Sequence, residues 1–317
     1  MPGAVTVYAP SRLHFGMFSF GQAGARQFGG VGAAIDAPAL RLTISPCERL
    51  EAVGPRAERA LEFARRAAAA WQWDEPRCRI DVQAAPPAHA GLGSGTQLGL
   101  AVAAGLNAFL QRPPQAAADL ARAVGRGARS AIGLHGFAQG GLLVEGGKLR
   151  PEEISPLLAR LELPAAWRFV LLIPRRQAGL SGEAERRAFE RLPAVPAEVT
   201  DRLAGEALTG LLPAAAASDF AEFSISLHRF NRLAGECFSS AQGGPFLRPD
   251  LVELLQSWGH AGVGQSSWGP TVFAPLPDPA SAEHLATRLR GEAAAGDCDV
   301  FVAATDNAGA RVECGSA

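Results

Sequence analysis

The segment Pro87-Ala88-His89-Ala90-Gly91-Leu92-Gly93-Ser94-Gly95-Thr96-Gln97 is a glycine-rich turn that runs directly into a long apolar segment. Glycine lets the backbone turn sharply and approach a ligand closely. The N–H groups of a first helical turn have no partners within the helix and point toward any anion that lies there. The segment therefore predicts a phosphate-binding loop, with these contact residues: Gly91, Leu92, Gly93, Ser94, Gly95, Thr96 and Gln97.

The composition sets limits on size and on partners. The chain has 317 residues, of which 48% are hydrophobic, and a formal net charge of −1. This length exceeds one average domain, so we expect two lobes. A balanced charge without a basic run gives no general attraction to nucleic acid or to an anionic membrane, and neither is an expected partner. Anion binding must be local, which points to small-molecule substrates.

The numbers and positions of lysine and cysteine residues argue against several kinds of site. Lys148 is the only lysine and lies in a hairpin-like turn, so neither Schiff-base catalysis nor a Walker-type phosphate lysine is expected. The five cysteines are scattered and form no CxxC pair, which argues against a disulfide framework and a structural zinc site. No apolar run approaches the roughly 20 residues of a membrane span, and no leader is visible. We expect a soluble, cytoplasmic protein with reduced thiols.

Apolar periodicity predicts a mixed β-α first half and a second half of similar kind. The first half has strands over 5–9, 40–45, 79–83 and 136–145 and helices over 58–71, 94–110 and 116–124. The second half has strands over 167–173, 271–274 and 300–304 and helices over 182–192, 198–211, 218–238, 251–258 and 281–290. The proline-broken segment 151–164 is expected to connect the lobes. We place the N-terminal domain at 1–155 and the C-terminal domain at 156–317.

Three further segments accompany the glycine loop. Ala9-Pro10-Ser11-Arg12-Leu13-His14-Phe15-Gly16 follows the first strand, and Ser130-Ala131-Ile132-Gly133 lies midway along the chain. Gly262-Val263-Gly264-Gln265-Ser266-Ser267-Trp268-Gly269-Pro270-Thr271 comes late. This ordered set resembles the motifs of the GHMP kinase superfamily. The resemblance implies a two-lobed α+β GHMP-kinase-like fold, with an S5-like N-terminal lobe, a ferredoxin-like C-terminal lobe and a phosphorylated ligand between them.

The departures from the kinases indicate a different reaction. Kinases of the superfamily place a catalytic aspartate after Ser-Gly-Ile, whereas this chain has Gly133 in that position. They also supply a magnesium-binding glutamate from the helix after the glycine loop, yet no acidic residue occurs from Ser94 through Gln111. The third loop carries Gln265-Ser266-Ser267-Trp268 where kinases keep bare backbone. Phosphoryl transfer would therefore lack its base.

These substitutions resemble one branch of the superfamily, the β-ribofuranosylaminobenzene 5′-phosphate synthases of tetrahydromethanopterin biosynthesis. The resemblance rests on Arg12 to Phe15, Gly29 to Gly32, Gly91 to Gln97 and Gly264 to Thr271. It implies condensation of phosphoribosyl pyrophosphate with 4-aminobenzoate or 4-hydroxybenzoate, with release of CO2 and pyrophosphate. Archaeal members carry aspartates where this chain has Phe28 and the uncharged segment 17–20. The chain is therefore more similar to the bacterial branch.

The resemblance implies roles for individual residues. We expect catalysis from Arg12, His14, Gln265, Ser266 and Ser267, further phosphate contacts from Arg129 and Arg175, and substrate contacts from Trp268 and Thr271. Arg26 and Arg176 are weaker candidates for anion contacts, and Glu183 and Asp219 are candidate bases that helix capping explains equally well. Trp268 either stacks on the aromatic acid or packs in the core. Mg²⁺ is the expected cofactor, bridging phosphate oxygens, with no protein ligand assigned.

Two other functions stay open at this point. A small-molecule kinase of the same superfamily keeps the fold and the loop but needs a carboxylate base from elsewhere. A catalytically inactive regulator that binds a phosphorylated metabolite would explain the lost kinase residues, although the polar segment Gln265 to Ser267 suits a working site better. The sequence does not decide between the two benzoates or fix the number of subunits, and a homodimer is one assembly that it allows.

Overall fold

The chain folds into two sheets flanked by helices, in a computed structural model that describes residues 3–176, 179 and 182–315. The strands are β1 (Val5–Met17), β2 (Gly30–Pro46), β3 (Glu51–Val53), β4 (Cys78–Ala84), β5 (Leu142–Glu145), β6 (Leu157–Leu161), β7 (Arg168–Pro174), β8 (Gly264–Gln265), β9 (Val272–Leu276), β10 (Cys298–Ala304) and β11 (Arg311–Cys314).

The helices alternate with these strands along the chain. They are α1 (Ala57–Ala70), α2 (Ser94–Phe109), α3 (Ala117–Ala123), α4 (Ile132–Gln139), α5 (Gly182–Arg191), α6 (Ala197–Glu206), α7 (Leu212–Ala216), α8 (Phe220–Glu236), α9 (Ser239–Gln242), α10 (Pro249–Ser257) and α11 (Pro279–Arg290). A π-helical turn (Ala207–Leu211) joins α6 to α7. A 3-10 turn (Ala293–Ala295) follows α11.

The first sheet has seven strands and is built around β1 and β2. Its order is β11-β1-β2-β4-β3, and β5 pairs with the start of β2 and with β6. Helix α2 packs against β1 and β2 and is buried nearly all round, as its uniform hydrophobicity predicts. Gly105 permits this close packing, because a Cβ there would lie 2.9 Å from Ile44 Cδ1. The start of α2 is thereby fixed at one edge of the first lobe.

The second sheet has four antiparallel strands in the order β10-β7-β9-β8. Helices α10 and α11 pack against it around an apolar cluster that includes Leu255 and Leu285. The sheets do not divide the chain at residue 155, because β6 and the C-terminal β11 both belong to the first sheet. The second lobe therefore begins after Leu161 and ends before Arg311. Hydrogen bonding of β11 to β1 returns the chain to the first lobe.

The two lobes share one hydrophobic core. Phe15 on β1 lies 6.3 Å from Phe169 on β7 and 5.5 Å from Phe273 on β9, measured between ring centroids. All three side chains are almost fully buried. Helix α8 contributes Phe223 and Phe230 to the same cluster. Because rings from both sheets complete one core, the lobes hold each other in a fixed relation.

Several predicted elements have different bounds. Strands β1 and β2 extend well beyond 5–9 and 40–45, since bulges at Ala9/Ser11 and His14/Gly16 let the pairing continue. The strand predicted over 136–145 is wrong in its first half. Residues 132–139 form α4, and Gly140 and Gly141, with φ of 61° and 87°, turn the chain into β5. The helix predicted over 218–238 is α8, whose N-cap is Asp219.

No helix in the described residues is long and apolar enough to cross a membrane. The cysteines are unpaired, as their spacing predicts: Cys47, Cys78, Cys237, Cys298 and Cys314.

Replacing Phe169 by alanine is expected to destabilise both lobes together. The substitution removes a buried ring from the shared core and should lower the free energy of unfolding by about 3–5 kcal/mol. A urea titration gives this value, and hydrogen exchange on peptides from each sheet shows whether they open in one step. Val312→Ala, at a side chain 41% exposed, is the control. Earlier opening of the second sheet alone would contradict the shared core.

Candidate functional site

A cleft of about 640 Å³ lies where the glycine loop meets the loop between β8 and β9. The start of α1 and the turn before α4 complete its walls. The lining residues are Arg12, Arg56, Glu58, Arg59, Ala88, His89, Gly91, Leu92, Gly93, Ser94, Gly95, Thr96, Arg126, Arg129, Ser267, Trp268 and Gly269. A second cavity of about 650 Å³ lies in the second lobe between α8 and α11 and is mainly apolar. Phosphate binding needs donors, so we place the candidate site in the first cleft.

The glycine loop has the backbone geometry that the sequence predicts. Gly91 and Gly93 adopt φ of 84° and 72°, in the left-handed region that favours glycine. A Cβ on Gly91 would lie 2.3 Å from Ser266 O, so the two loops touch through bare backbone. No side chain caps α2, whose first turn opens at Gly93. His89 and Ser267 also have positive φ, of 59° and 56°, which marks strain at the cleft.

Five arginines surround the start of α2, and they concentrate positive charge there. Arg56 donates to Ser94 Oγ at 2.9 Å, and Arg126 donates to Thr96 Oγ1 at 3.2 Å. Burial lowers the pKa of Arg56, and the nearby charge of Arg59 lowers it further. Glu58 is the one acidic residue among the described lining residues. Several guanidinium groups gathered around one helix start are suited to a phosphate-rich anion, because each can donate two parallel hydrogen bonds to phosphate oxygens.

The polar side chains of the third motif hold the two loops together. Ser266 Oγ donates to Gly91 O at 2.7 Å and accepts from His14 N at 3.0 Å. Thr271 Oγ1 donates to Ala90 O at 2.6 Å. Both side chains are fully buried. Ser266 and Thr271 therefore position the glycine loop and are not among the residues that line the cleft, and the roles expected of them toward substrate stay predictions.

Gln265 and Gln97 are also engaged inside the protein. Gln265 Oε1 accepts from Leu247 N at 2.6 Å, and its Nε2 donates to Ser267 O at 3.1 Å. Gln97 Nε2 donates to Gly133 O at 2.8 Å. Both amides are almost fully buried. Both side chains support the surrounding backbone, and the catalytic role expected of Gln265 and the phosphate contact expected of Gln97 stay predictions.

His14 ends a buried chain of hydrogen bonds behind the cleft. Its Nε2 lies 3.0 Å from Ser130 Oγ, which donates to Glu145 Oε1 at 2.5 Å. Burial raises the pKa of Glu145 to about 7, although bonds from Ser130 and from the Ala131 N–H favour the ionised form. Burial, and then the charge of Arg12, hold the pKa of His14 well below its usual value. His14 is therefore a neutral ring in this position.

Trp268 belongs to an aromatic cluster that forms one wall of the cleft. Its ring lies 5.1 Å from Phe189 in an edge-on arrangement and 5.1 Å from Phe238. The guanidinium of Arg129 lies 4.7 Å above the Phe189 ring. Trp268 is 6% exposed. The packing role considered for Trp268 accounts for most of its surface, and a narrow edge faces the cleft.

Other candidates lie elsewhere. Arg175, directly after β7, donates to Cys298 O at 2.7 Å and to Asp299 at 3.0 Å and is not among the residues that line the cleft, so its expected phosphate contact stays a prediction. Arg26 donates to Gly147 O, and Asp219 accepts from Glu222 N as a helix cap. Exposed Arg176 does not line the cleft. The side chain of Glu183 lies outside the described residues.

Sequence reasoning missed Arg56, Arg59, Arg126 and Glu145. Arg56, which precedes α1, and Arg59, in its first turn, are distant in sequence from every motif and reach the cleft because α1 packs along α2. Arg126 carries a local signal, since it lies between Gly125 and Gly127, both with positive φ. Such a turn exposes the side chain between its glycines. Glu145 has no such sequence signal, because a glutamate at the end of a strand is usually exposed to solvent.

Two family models match the chain. The model described as the GHMP kinases N terminal domain matches residues 56–140, and the GHMP kinases C terminal model matches residues 211–295. Homoserine kinase from Cytophaga hutchinsonii is a solved structure with a similar fold, at a TM-score of 0.68 and 16% identity over 99% of this chain and 98% of the other. The two-lobed GHMP fold expected from the sequence is confirmed.

Relatives found by sequence similarity point to a narrower group of proteins than the family models do. The chain is 30% identical to the β-ribofuranosylphenol 5′-phosphate synthase of Archaeoglobus fulgidus, over 96% of this chain and 98% of the relative. It is 29% identical to a protein of the same name from Methanothermobacter thermautotrophicus, over 84% of this chain and 87% of the relative.

Replacing Gly93 by valine should weaken binding of inorganic pyrophosphate by about tenfold or more. The backbone at Gly93 has φ of 72°, and a Cβ would lie 2.9 Å from Arg12 Cγ, so the loop and Arg12 must both shift. Calorimetric titration with pyrophosphate measures the change. Gly243→Val is the matched control, because Gly243 has φ of 84° with no atom within 4 Å of an added Cβ. Unchanged affinity in Gly93→Val would remove the loop from the binding site.

Proposed function

Because the chain belongs to the β-ribofuranosylphenol 5′-phosphate synthase family, we propose that it condenses phosphoribosyl pyrophosphate with a 4-substituted benzoate. The reaction forms a carbon–carbon bond between ribose C1 and the ring and releases pyrophosphate and CO2, in tetrahydromethanopterin biosynthesis. The relatives are named for a phenol product, which 4-hydroxybenzoate would give and 4-aminobenzoate would not. We therefore propose 4-hydroxybenzoate as the acid.

The arginine-lined cleft is the observation that carries this proposal. Phosphoribosyl pyrophosphate brings phosphate groups to both ends of the ribose, and five guanidinium groups line this one cleft. When the C1–oxygen bond breaks, negative charge grows on pyrophosphate and positive charge on C1. Fixed donors around the leaving group stabilise that change without reorganising. Arg126 and Arg56, held by Thr96 and Ser94, are placed to do this at the start of α2.

Among the described residues, the same cleft offers little for phosphoryl transfer. A kinase needs a carboxylate beside the attacking hydroxyl, but Gly133 occupies that position, packed on Thr96. Glu58, at the start of α1, is exposed and lines the cleft together with Arg56 and Arg59. The ligand of this superfamily loop is therefore proposed to be phosphoribosyl pyrophosphate and not ATP.

The aromatic acid is proposed to lie against Trp268 and Ser267 at the inner end of the cleft. The cluster behind Trp268 gives an apolar wall, and a carboxylate placed against such a wall loses its charge as CO2 at lower cost. Holding the ring in contact with C1 also lowers the entropic cost of bringing the two substrates together during the reaction. These contacts favour attack by the ring carbon that bears the carboxylate.

Mg²⁺ is proposed as the cofactor, held mainly by the substrate phosphates. No group of three His, Cys, Asp or Glu side chains among the described residues could hold a metal ion. Glu58 is the lining residue with the right donor, and Mg²⁺ is commonly held by one or two carboxylates together with substrate phosphates. When bound, the ion would neutralise charge on pyrophosphate.

A cytoplasmic location is also proposed, since the unpaired cysteines suit a reducing compartment.

The purified protein is expected to release labelled CO2 from carboxyl-labelled 4-hydroxybenzoate when phosphoribosyl pyrophosphate and Mg²⁺ are present. Counting trapped CO2, with 4-aminobenzoate in a parallel reaction, measures this. Absence of release with either acid, together with ATP turnover on an alcohol, would replace the synthase by a kinase. Absence of both activities, with phosphometabolite binding retained, would favour the inactive regulator.

Arg126→Ala should raise the KM for phosphoribosyl pyrophosphate about 10- to 100-fold, the loss expected for one hydrogen bond between charged groups. Initial rates over a range of substrate concentrations measure it. Arg232→Ala is the control, because Arg232 is exposed and paired with Glu236 away from the cleft. An unchanged KM in Arg126→Ala would place the phosphates elsewhere.

A further inference from the structure

We propose that Glu145, Ser130 and His14 form a proton relay for this reaction. The proton of the ring hydroxyl is taken at His14 Nδ1, its equivalent is stored on the buried Glu145 carboxyl, and it is returned after CO2 leaves. The inference rests on the proposed function for its substrate. It supplies the base that the sequence motifs do not identify.

The hydrogen bonds indicate which atoms of the relay carry protons before the reaction. Ser130 Oγ donates to Glu145 Oε1 at 2.5 Å and accepts from Ile132 N at 3.2 Å. One lone pair of Oγ remains, and it faces His14 Nε2 at 3.0 Å. The hydrogen of the neutral ring must therefore be on Nε2. His14 Nδ1 is then a bare acceptor, buried and without a hydrogen-bond partner.

The same chain accepts one additional proton without losing a bond. A proton that arrives at Nδ1 sends the Nε2 proton to Ser130 Oγ, and the former Ser130 proton passes to Glu145. Ser130 now donates to His14 and accepts from Glu145 and from the Ile132 N–H. The ring is still neutral, but its hydrogen is on Nδ1. The two states keep the same hydrogen-bonded pairs along the chain and differ by one proton, and the charge change occurs at Glu145.

The surroundings favour storage on Glu145 over a charged ring. Burial and the positive charge of Arg12 on β1 oppose an imidazolium at His14. Burial raises the pKa of Glu145 to about 7, so that its carboxyl can gain and lose a proton near neutrality. Lys148, from the turn after β5, opposes this storage because it attracts the ionised carboxylate, but burial has the larger effect on the pKa of Glu145. His135, from α4, is turned away and bonds to Ser155 O at 2.9 Å.

His14 is next to the cleft. Its carbonyl accepts from Ser267 N at 2.8 Å, and Ser267 lines both the cleft and a small cavity beside His14. That cavity measures about 20 Å³, which is room for one water molecule. In the proposed relay the proton passes from a ring in the cleft to this histidine through one water in that cavity.

The electron count balances. Removal of the hydroxyl proton drives electron density to the ring carbon that bears the carboxylate. That carbon bonds to ribose C1 as the C1–oxygen bond breaks, and the electron pair of that bond leaves with pyrophosphate. The ring is now a dienone, and breaking the carbon–CO2 bond returns its electron pair to the ring. The resulting phenolate takes the proton back from Nδ1, so no net acid or base is consumed.

The relay is tested first without substrate, by ¹⁵N NMR of the histidine-labelled full chain from about pH 5 to about pH 9. His14 is expected to pass from Nε2–H to Nδ1–H as the pH falls through about 7, and His14→Asn assigns its signals. Glu145→Gln and Ser130→Ala should each remove the change, whereas Ser130→Thr, which keeps the hydroxyl, and His135→Asn should retain it. A second ring proton on His14, a constant tautomer, or a change that persists in Glu145→Gln would overturn the relay.

The kinetic test uses the same variants. Glu145→Gln should lower kcat by about 10²- to 10⁴-fold with little change in either KM. The wild-type rate should rise with pH through about 7 because the ionised Glu145 is the proton acceptor, and the variant should lack this rise. A ring-fluorinated 4-hydroxybenzoate, whose hydroxyl is more acidic, should restore part of the lost rate.

A wild-type rate and pH profile in Glu145→Gln would overturn the relay. Failure of the wild-type protein to release CO2 would instead contradict the proposed function, and the NMR titration would still decide whether the relay exists.

Discussion

The contact between two loops through bare backbone is the constraint on which the site depends. Gly91 and Gly269 are so close that a Cβ on Gly269 would lie 2.4 Å from Gly91 Cα. Ser266 and Thr271 fasten this contact by donating to the carbonyls of Gly91 and Ala90. One loop belongs to each lobe, so the contact fixes the cleft at the junction of the lobes. Larger side chains would separate the loops and open the site.

Charge then decides what the cleft binds. The protein has a formal net charge of −1, yet five of its arginines converge on the start of one helix. Arginines held by Ser94 and Thr96 are already oriented, so little entropy is lost when an anion arrives. Glu145, which does not line this cleft, is buried and accepts hydrogen bonds from Ser130 and from the Ala131 N–H. Phosphate binding is thus assigned to the arginines that line the cleft, and proton transfer to the buried Glu145.

Much of the fold and part of the site could be predicted from the sequence. The glycine loop and the uniformly apolar α2 are local signals, and both have the predicted conformation. The roles of Ser266 and Thr271 could not be predicted, because a buried hydroxyl that holds a loop has the same sequence pattern as one that contacts substrate. Arg175 looked suitable at a strand end, but pairing with Asp299 depends on which strand lies beside it. Arg56 reaches the cleft only through helix packing, which no local pattern encodes.

The central claim is that this scaffold makes a carbon–carbon bond and does not transfer phosphate. ¹³C NMR of the product formed from phosphoribosyl pyrophosphate labelled at C1 and 4-hydroxybenzoate labelled at the carboxylate-bearing ring carbon tests it most directly. We expect a one-bond coupling between the two labelled carbons in a product that has lost its carboxyl group. A product that keeps the carboxyl group and carries ribose on oxygen would contradict it.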